Sequence, residues 1–284
     1  MNRRTFNTLA AAAIGSLAAS GAANAEKHSQ PTPSAHPATE AEIQAAMQQA
    51  MAPTPRLQIA MLIYPQFTAL DLIGPHTFLA GLMNADVHLV WKNHDPVPLD
   101  RGGTALVPTR SLDECPRDLD VLFVPGGLKG TLAVMQDDQI LDFLADRGSR
   151  AKYITSVCTG SLVLGCAGLL NGYRATTHWS AQEILPLLGA IPVNQRVVED
   201  RNRLTGAGVT SGMDFGLVLA AKLSTGAYAE MLQLINEYDP QPPFDAGSPA
   251  KAGAPMTSHL RQMLAPGIAG FHQAADSSRK RWKT

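Results

Sequence analysis

The stretch Lys152 to Gly168, KYITSVCTGSLVLGCAG, decides how the whole chain reads. Tyr153 to Val157 is short, apolar and partly β-branched, the composition of a buried strand. Ser161 to Leu169 follows as a helix. Between them, Ser156-Val157-Cys158-Thr159-Gly160 has the spacing small-x-nucleophile-x-small, a nucleophile elbow with Cys where G-x-S-x-G has Ser. A sharp strand-to-helix turn leaves no room for side chains two positions either side of its centre, so both flanking residues are small. The turn sets the thiol at a helix N-terminus, where the dipole and unpaired amides favour a thiolate. An isolated Cys would read as a small buried hydrophobe. Strand, elbow and helix together favour a nucleophile.

Outward from the elbow, strands and helices alternate. Leu57 to Ile63 (LQIAMLI) reads as a first buried strand ended by Tyr64-Pro65. A helix is expected over Thr68 to Met83, with Pro75 in a first turn or at a break. Asp86 to Trp91 is a second strand, and Val97 to Thr109 reads as a hairpin or ribbon around Arg101-Gly102-Gly103. Leu119 to Val124 is a buried strand ending at Pro125-Gly126-Gly127, and Asp138 to Arg147 is a helix. Beyond the elbow come a strand over Gly172 to His178, a helix over Ser180 to Leu188 and a hairpin over Arg196 to Thr205. Helices over Thr210 to Leu223 and Tyr228 to Tyr238 precede a Pro-rich extended segment, Pro240 to Pro249. Nearly all-apolar strands alternating with helices predict an α/β domain with a doubly wound, mostly parallel sheet covered on both faces. Such sheets bind ligands at the C-terminal strand ends. The first helix, the Gly126-Gly127 turn and Cys158 all open from those ends.

The two ends of the chain are different in kind. Asn2-Arg3-Arg4-Thr5-Phe6 carries a twin-arginine pair, Leu9 to Ala23 is a mild Ala- and Gly-rich apolar run, and Ala23-Asn24-Ala25 fits a small-residue cleavage site. Residues 1–25 are therefore expected to be a Tat-type signal peptide, placing the working protein in the periplasm. The run is too short and weak for stable membrane insertion. A Sec signal or an uncleaved anchor is the alternative, and either also means export. Removing 1–25 takes away two Arg and no acid, which moves the net charge from −1 to −3 and gives no sign of a nucleic-acid partner. Residues 26–55 are polar with five prolines and read as a linker, with a short helix over Thr39 to Met51 capped by Thr39 and Glu42. This segment is expected to be a loosely attached arm. After Ala250 the chain reads as a weakly helical tail, residues 250–284, ending in a solvated basic cluster, Arg279-Lys280-Arg281.

Three cysteines, Cys115, Cys158 and Cys166, leave at least one thiol unpaired or in an intermolecular bridge. Cys158 and Cys166 lie about two helical turns or ~12 Å apart, beyond disulfide reach. No His/Cys cluster has metal spacing, so neither metal nor cofactor is expected. A nucleophilic Cys usually has a base beside it, often His. Thr159 follows Cys158 directly; His178 could reach the elbow from the end of the next strand, or could simply hydrogen-bond there, the reading with somewhat more weight. Asp71 sits within the apolar run Phe67 to Pro75. It reads about equally as a helix cap and as a proton carrier whose pKa an apolar pocket would raise. The amides of Gly126-Gly127-Leu128 could form an oxyanion hole with that of Thr159, or a plain βα turn. The turn is not G-x-G-x-x-G, and no dinucleotide site is expected.

At these residues the chain resembles the PfpI-like, class I glutamine-amidotransferase-like superfamily, from Leu57 to Pro249. Within it the likeness to the branch that hydrates isonitriles is close. The likeness rests on ordered, separated stretches: ALDLIGPHTFLAGL, HLVWK, VPGG, YITSVCTGSLVLGCAGLLNG, RATTHW, LGAIPVNQRVV, LTGAGVTSGMDF and PPFDAGSP. The resemblance implies a catalytic domain over residues 56–249, a flavodoxin-like fold and a homodimer acting on a small-molecule substrate. It assigns Cys158 as nucleophile, Asp71 as the acid facing it, Thr159 at the position where protease-like relatives carry His, and Gly127 and Leu128 as the backbone-amide turn. The implied activity is hydration of isonitriles to N-substituted formamides through a cysteine thioimidate. A missing His fits this better than peptide hydrolysis, because an isonitrile carbon carries no leaving amine. A related hydrolase, deglycase or glyoxalase-like activity and a thiol redox sensor are the alternatives. An AraC-type regulator would need a helix-turn-helix domain for which the tail is too short. The signal, the arm, Lys129, Cys166 and the tail depart from the superfamily pattern.

Overall fold

The computed structural model describes residues 36–52 and 54–281; the expected twin-arginine signal and its cleavage site lie outside the described residues. In chain order the elements are α1 (Glu40–Ala50), β1 (Leu57–Leu62), α2 (Ala69–Leu79), β2 (Ala85–Trp91), the pair β3 (Val97–Pro98) and β4 (Ala105–Leu106), β5 (Arg110–Ser111), β6 (Val121–Val124), α3 (Lys129–Val134) and α4 (Asp138–Gly148). Then come β7 (Tyr153–Val157), α5 (Gly160–Cys166), β8 (Arg174–Ala175), a 3₁₀ helix (Trp179–Leu188), β9 (Ile191–Pro192), β10 (Val197–Asp200) and β11 (Arg203–Gly206). The chain closes with α6 (Ser211–Leu223), α7 (Gly226–Ile235), α8 (Pro249–Ala252) and α9 (Ala254–Arg281).

Seven strands form one sheet in the order β10-β11-β7-β6-β1-β2-β5. All neighbours are parallel except β10, which pairs antiparallel with β11 at the edge. The central strands are near-continuous apolar runs because both faces are covered: all four residues of β6 and Ile59 to Leu62 of β1 are buried. This is the flavodoxin-like α/β architecture expected from the sequence. The strand order reverses direction around β1, β6 and β7, and the C-terminal ends of β6 and β7 carry Pro125-Gly126-Gly127 and Cys158.

Several elements differ from the expectation. Pro75 lies in the middle of α2, not in a first turn, and the helix continues to Leu79. Its missing N–H leaves the Asp71 carbonyl without the usual helical donor. The ring is accommodated because α6 presents glycines to it: a Cβ on Gly212 would lie 3.1 Å from Pro75 Cδ, and one on Gly216 would lie 3.0 Å from Pro75 Cα. The strand expected over Gly172 to His178 shrinks to β8, which pairs with β9 outside the main sheet. The helix expected after it is wound as 3₁₀. The short helix α3 was not anticipated.

The expected arm and tail are both attached. Helix α1 has the capping box read from Thr39 and Glu42, with the Thr39 amide donating to Glu42 Oε2 at 2.7 Å. It is not a loose arm, since Ala46 and Ala50 are buried and the helix packs on α7. The Ala38 amide donates to Glu230 Oε2 at 3.0 Å, a further tie to α7. The expected weak tail is a 28-residue helix, α9, packed on the 3₁₀ helix, α3 and α5. Its Phe271, Ala274 and Ala275 are fully buried. The inward face is carried largely by small residues, which is why hydrophobic periodicity did not reveal it. No helix among the described residues is long and apolar enough to cross a membrane.

Candidate functional site

Cys158 sits where β7 turns into α5, with φ at +56°, a left-handed conformation that side chains other than Gly rarely adopt. Its amide donates to the Gly206 carbonyl at 3.0 Å, and its carbonyl accepts from Thr177 Oγ1 at 3.0 Å and Ser161 Oγ at 3.2 Å. The elbow is thus tied to β11, to its own helix and to the segment after β8. The need for a small residue at position 160 is geometric. A Cβ on Gly160 would collide with the Val124 carbonyl and lie 2.6 Å from the Pro125 carbonyl. Ser156, at the other small position, is buried with Oγ unpaired.

Asp71 is the third residue of α2 and fully buried. It does not cap its own helix. Thr68 occupies the N-cap without a capping side-chain bond, its hydroxyl donating to Asp100 Oδ2 at 2.9 Å instead, while Asp71 Oδ2 accepts the Gly126 amide at 3.0 Å from across the sheet end. Oδ1 is buried with no hydrogen bond at ordinary geometry. The Cys158 thiol is the polar neighbour that acts on the carboxyl most strongly. Gly126 marks where the groups converge: a Cβ there would lie 2.7 Å from Asp71 Oδ2, 2.7 Å from Cys158 Cβ and 2.6 Å from the Thr159 nitrogen.

Burial governs the protonation of both groups. It pushes the Asp71 carboxyl up to about 7, against the smaller lowering by Cys158 and the Gly126 amide. It pushes the Cys158 thiol well above its ordinary value, and the Asp71 charge pushes the same way. The Thr159 amide, directed at the sulfur, pulls the thiol down but does not win. The thiolate expected from the helix N-terminus is therefore not the resting form. Desolvation costs the anion more than the helix end returns.

The Thr159 hydroxyl adds a smaller pull on the thiol in the same direction as its amide, but its short hydrogen bonds run to the neighbouring turn. Oγ1 donates to the Gly127 carbonyl at 2.9 Å and accepts the Gly127 amide at 3.0 Å. It also shares a proton position with Thr131 Oγ1 at 2.9 Å, and Thr131 Oγ1 lies 3.2 Å from the Tyr64 hydroxyl. The Gly127 amide is thus taken up within the protein, not aimed at a substrate, and Leu128 is the residue of that turn with an exposed side chain. Sequence reasoning did not find Thr131 and Tyr64. Nothing local distinguishes them, since each acts through partners far along the chain.

His178 caps the 3₁₀ helix. Its Nδ1 accepts the Ser180 amide at 3.4 Å and pairs with Ser180 Oγ at 2.8 Å, and burial lowers its pKa. A cavity of about 430 Å³ opens on the elbow, with Cys158, Thr159 and His178 in its lining beside apolar Leu70, Leu264 and Phe271. The structure brings all six sequence-identified positions to one place, with His178 on the wall. No cluster of three His, Cys, Asp or Glu suited to a metal occurs among the described residues. No disulfide joins Cys115, Cys158 and Cys166.

The profile of the DJ-1/PfpI family matches residues 57–222. An isonitrile hydratase of Pseudomonas putida is 50% identical over 212 residues, which span 75% of this chain and 92% of that protein. The crystal structure of a THiJ/PfpI family protein from Pseudomonas syringae superposes with a TM-score of 0.76 at 52% identity, covering 79% of this chain and 96% of that one. The HTH-type transcriptional regulator CdhR of Pseudomonas aeruginosa is 38% identical over 171 residues, which span 57% of this chain and 49% of the regulator. With an elbow cysteine, a flavodoxin-like sheet and a profile match over most of that sheet, the chain belongs to the DJ-1/PfpI family.

Proposed function

We propose that this protein hydrates isonitriles to N-substituted formamides, with Cys158 as nucleophile and Asp71 as proton carrier. The observation that carries the reading is the buried Asp71–Cys158 pair, set beside a largely apolar cavity, with Thr159 and not His following the thiol in the chain. The half-identical isonitrile hydratase supports the same reading.

The chemistry follows from one shared proton. The terminal carbon of R–N≡C accepts a nucleophile and a proton and releases nothing. The Cys158 sulfur forms the C–S bond while the proton held between thiol and carboxyl passes to that carbon, giving the thioimidate R–N=CH–S–Cys158. Asp71 is left as carboxylate and takes a proton from the attacking water. Oxygen adds to the thioimidate carbon and nitrogen is protonated. Collapse breaks the C–S bond and the oxygen gives up its proton, releasing R–NH–CHO and restoring the Asp71–Cys158 pair with its one shared proton. An Asp71 pKa near neutrality suits both halves, since the group must give a proton and then accept one. Thr159, held by Gly127 and Thr131, fixes the turn so that its amide meets the sulfur. The working form is proposed to be an exported, periplasmic homodimer.

Purified wild type is expected to convert an aliphatic isonitrile to its formamide, followed by NMR. Cys158→Ala should abolish turnover, and Asp71→Asn should lower kcat at least about a hundredfold in a folded protein. Formamide production by Cys158→Ala at the wild-type rate would sink the mechanism.

A further inference from the structure

We infer that helix α9 selects the substrate, with Leu264 and Phe271 as specificity-determining residues that fit an isonitrile whose R group is apolar and of aromatic or alicyclic size. This rests on the isonitrile reading above and adds what lies beyond the reacting carbon. Only that carbon must meet Cys158, so R extends into the rest of the cavity, which at about 430 Å³ is far larger than a methyl group.

Leu264 and Phe271 are seven residues apart, about two turns of one helix, so they line the same face. Both belong to the cavity wall, Phe271 fully buried and Leu264 half-buried. The helix that carries them lies beyond the stretch matched by the family profile. It is therefore a part of the site that the family profile does not cover.

Two glycines seat this wall. A Cβ on Gly267 would lie 2.6 Å from Leu128 Cδ1, and one on Gly270 would lie 2.6 Å from Leu132 Cδ2. Absence of side chains at both positions lets α9 close on α3, next to the Gly126-Gly127 turn. The polar side chains of α9 nearby are engaged elsewhere. Arg261 stacks on Trp179 at 5.6 Å, and His272 pairs with Glu183 at 3.4 Å. What α9 gives the cavity is thus apolar. The charged residues in the lining, Asp100 and Arg101, come from the loop between β3 and β4. A bulky apolar R covers the wall and removes it from water; a methyl group leaves it wet.

The test compares kcat/KM for benzyl and methyl isonitrile in wild type, Leu264→Trp, Leu264→Ala and Phe271→Leu. Leu264 is half-buried, so its two variants keep the fold even where Phe271→Leu does not. Wild type is expected to favour the benzyl compound by about tenfold or more. Leu264→Trp, which fills the cavity, should lower that preference about tenfold, carried by KM. Leu264→Ala should lower it to a smaller degree. Turnover by wild type with an unchanged preference in both Leu264 variants would overturn the role of α9 and leave the chemistry standing. Turnover of neither compound by wild type would overturn the isonitrile reading itself.

Discussion

Asp71 and Cys158 are each pushed toward the neutral form by burial, so the pair holds two protons at low pH and one above about pH 7. The singly protonated pair is the form that can place a thiolate beside a carboxylic acid. Reactivity should therefore rise as pH increases through about 7, then level until the thiol itself titrates. Iodoacetamide alkylation of Cys158, read by mass spectrometry across pH, is expected to show this rise. In Asp71→Asn it should move to alkaline pH, where the thiol must ionise alone. Stability has the opposite sign. The folded pKa of Asp71 lies above its ordinary 3.8, so the unfolded chain gives up the proton first as pH rises. The contribution is intact below about pH 4 and lost by about pH 7. The rise from 3.8 to about 7 corresponds to on the order of 4 kcal/mol. Asp71→Asn should accordingly raise the melting temperature more at pH 8 than at pH 4.

At the scale of elements, α2 and α6 meet where neither has room to spare. A Cβ on Gly216 would lie 2.9 Å from Phe78 Cδ2 and 3.0 Å from Pro75 Cα, and the second contact is backbone that cannot rotate away. Gly216→Ala should cost about 1–3 kcal/mol in urea unfolding. It should also lower kcat/KM, because α2 carries Asp71. This contact also shows what sequence could and could not disclose. The parallel strands were legible because burial on both faces writes an uninterrupted apolar run, as in Val121 to Val124. The elbow was legible because steric exclusion at Gly160 leaves a local mark. Helix α2 was legible, but not its passage through Pro75, because the glycines that accommodate the ring lie on α6. That Asp71 does not cap its own helix turned on Gly126, 55 residues away, and the place of Thr159 on Gly127 and Thr131, 32 and 28 residues away. Helix α9 hid because Ala274, Ala275 and Ser278 are buried through smallness, which leaves little hydrophobic period to read.

For the whole molecule, the proposed dimer has apolar surface available. Leu234 and Ile235 are each 80% exposed, and Phe244 is 82% exposed. A Leu234→Ser, Phe244→Ser double variant should sediment as a monomer where wild type sediments as a dimer, with secondary structure unchanged. Export is tested by replacing Arg3 and Arg4 with Lys. Fractionation should then find the protein in the cytoplasm, whereas wild type is recovered from the periplasm with Glu26 at its N-terminus. The position of α9 at the far end of the chain has a consequence in time. Cys158 emerges from the ribosome long before Leu264 and Phe271 do. The elbow is thus synthesised before the helix that lines its cavity, and an interval separates the two. The duration of that interval is set by the rate of translation through α6, α7 and α9, not by any property of the finished site.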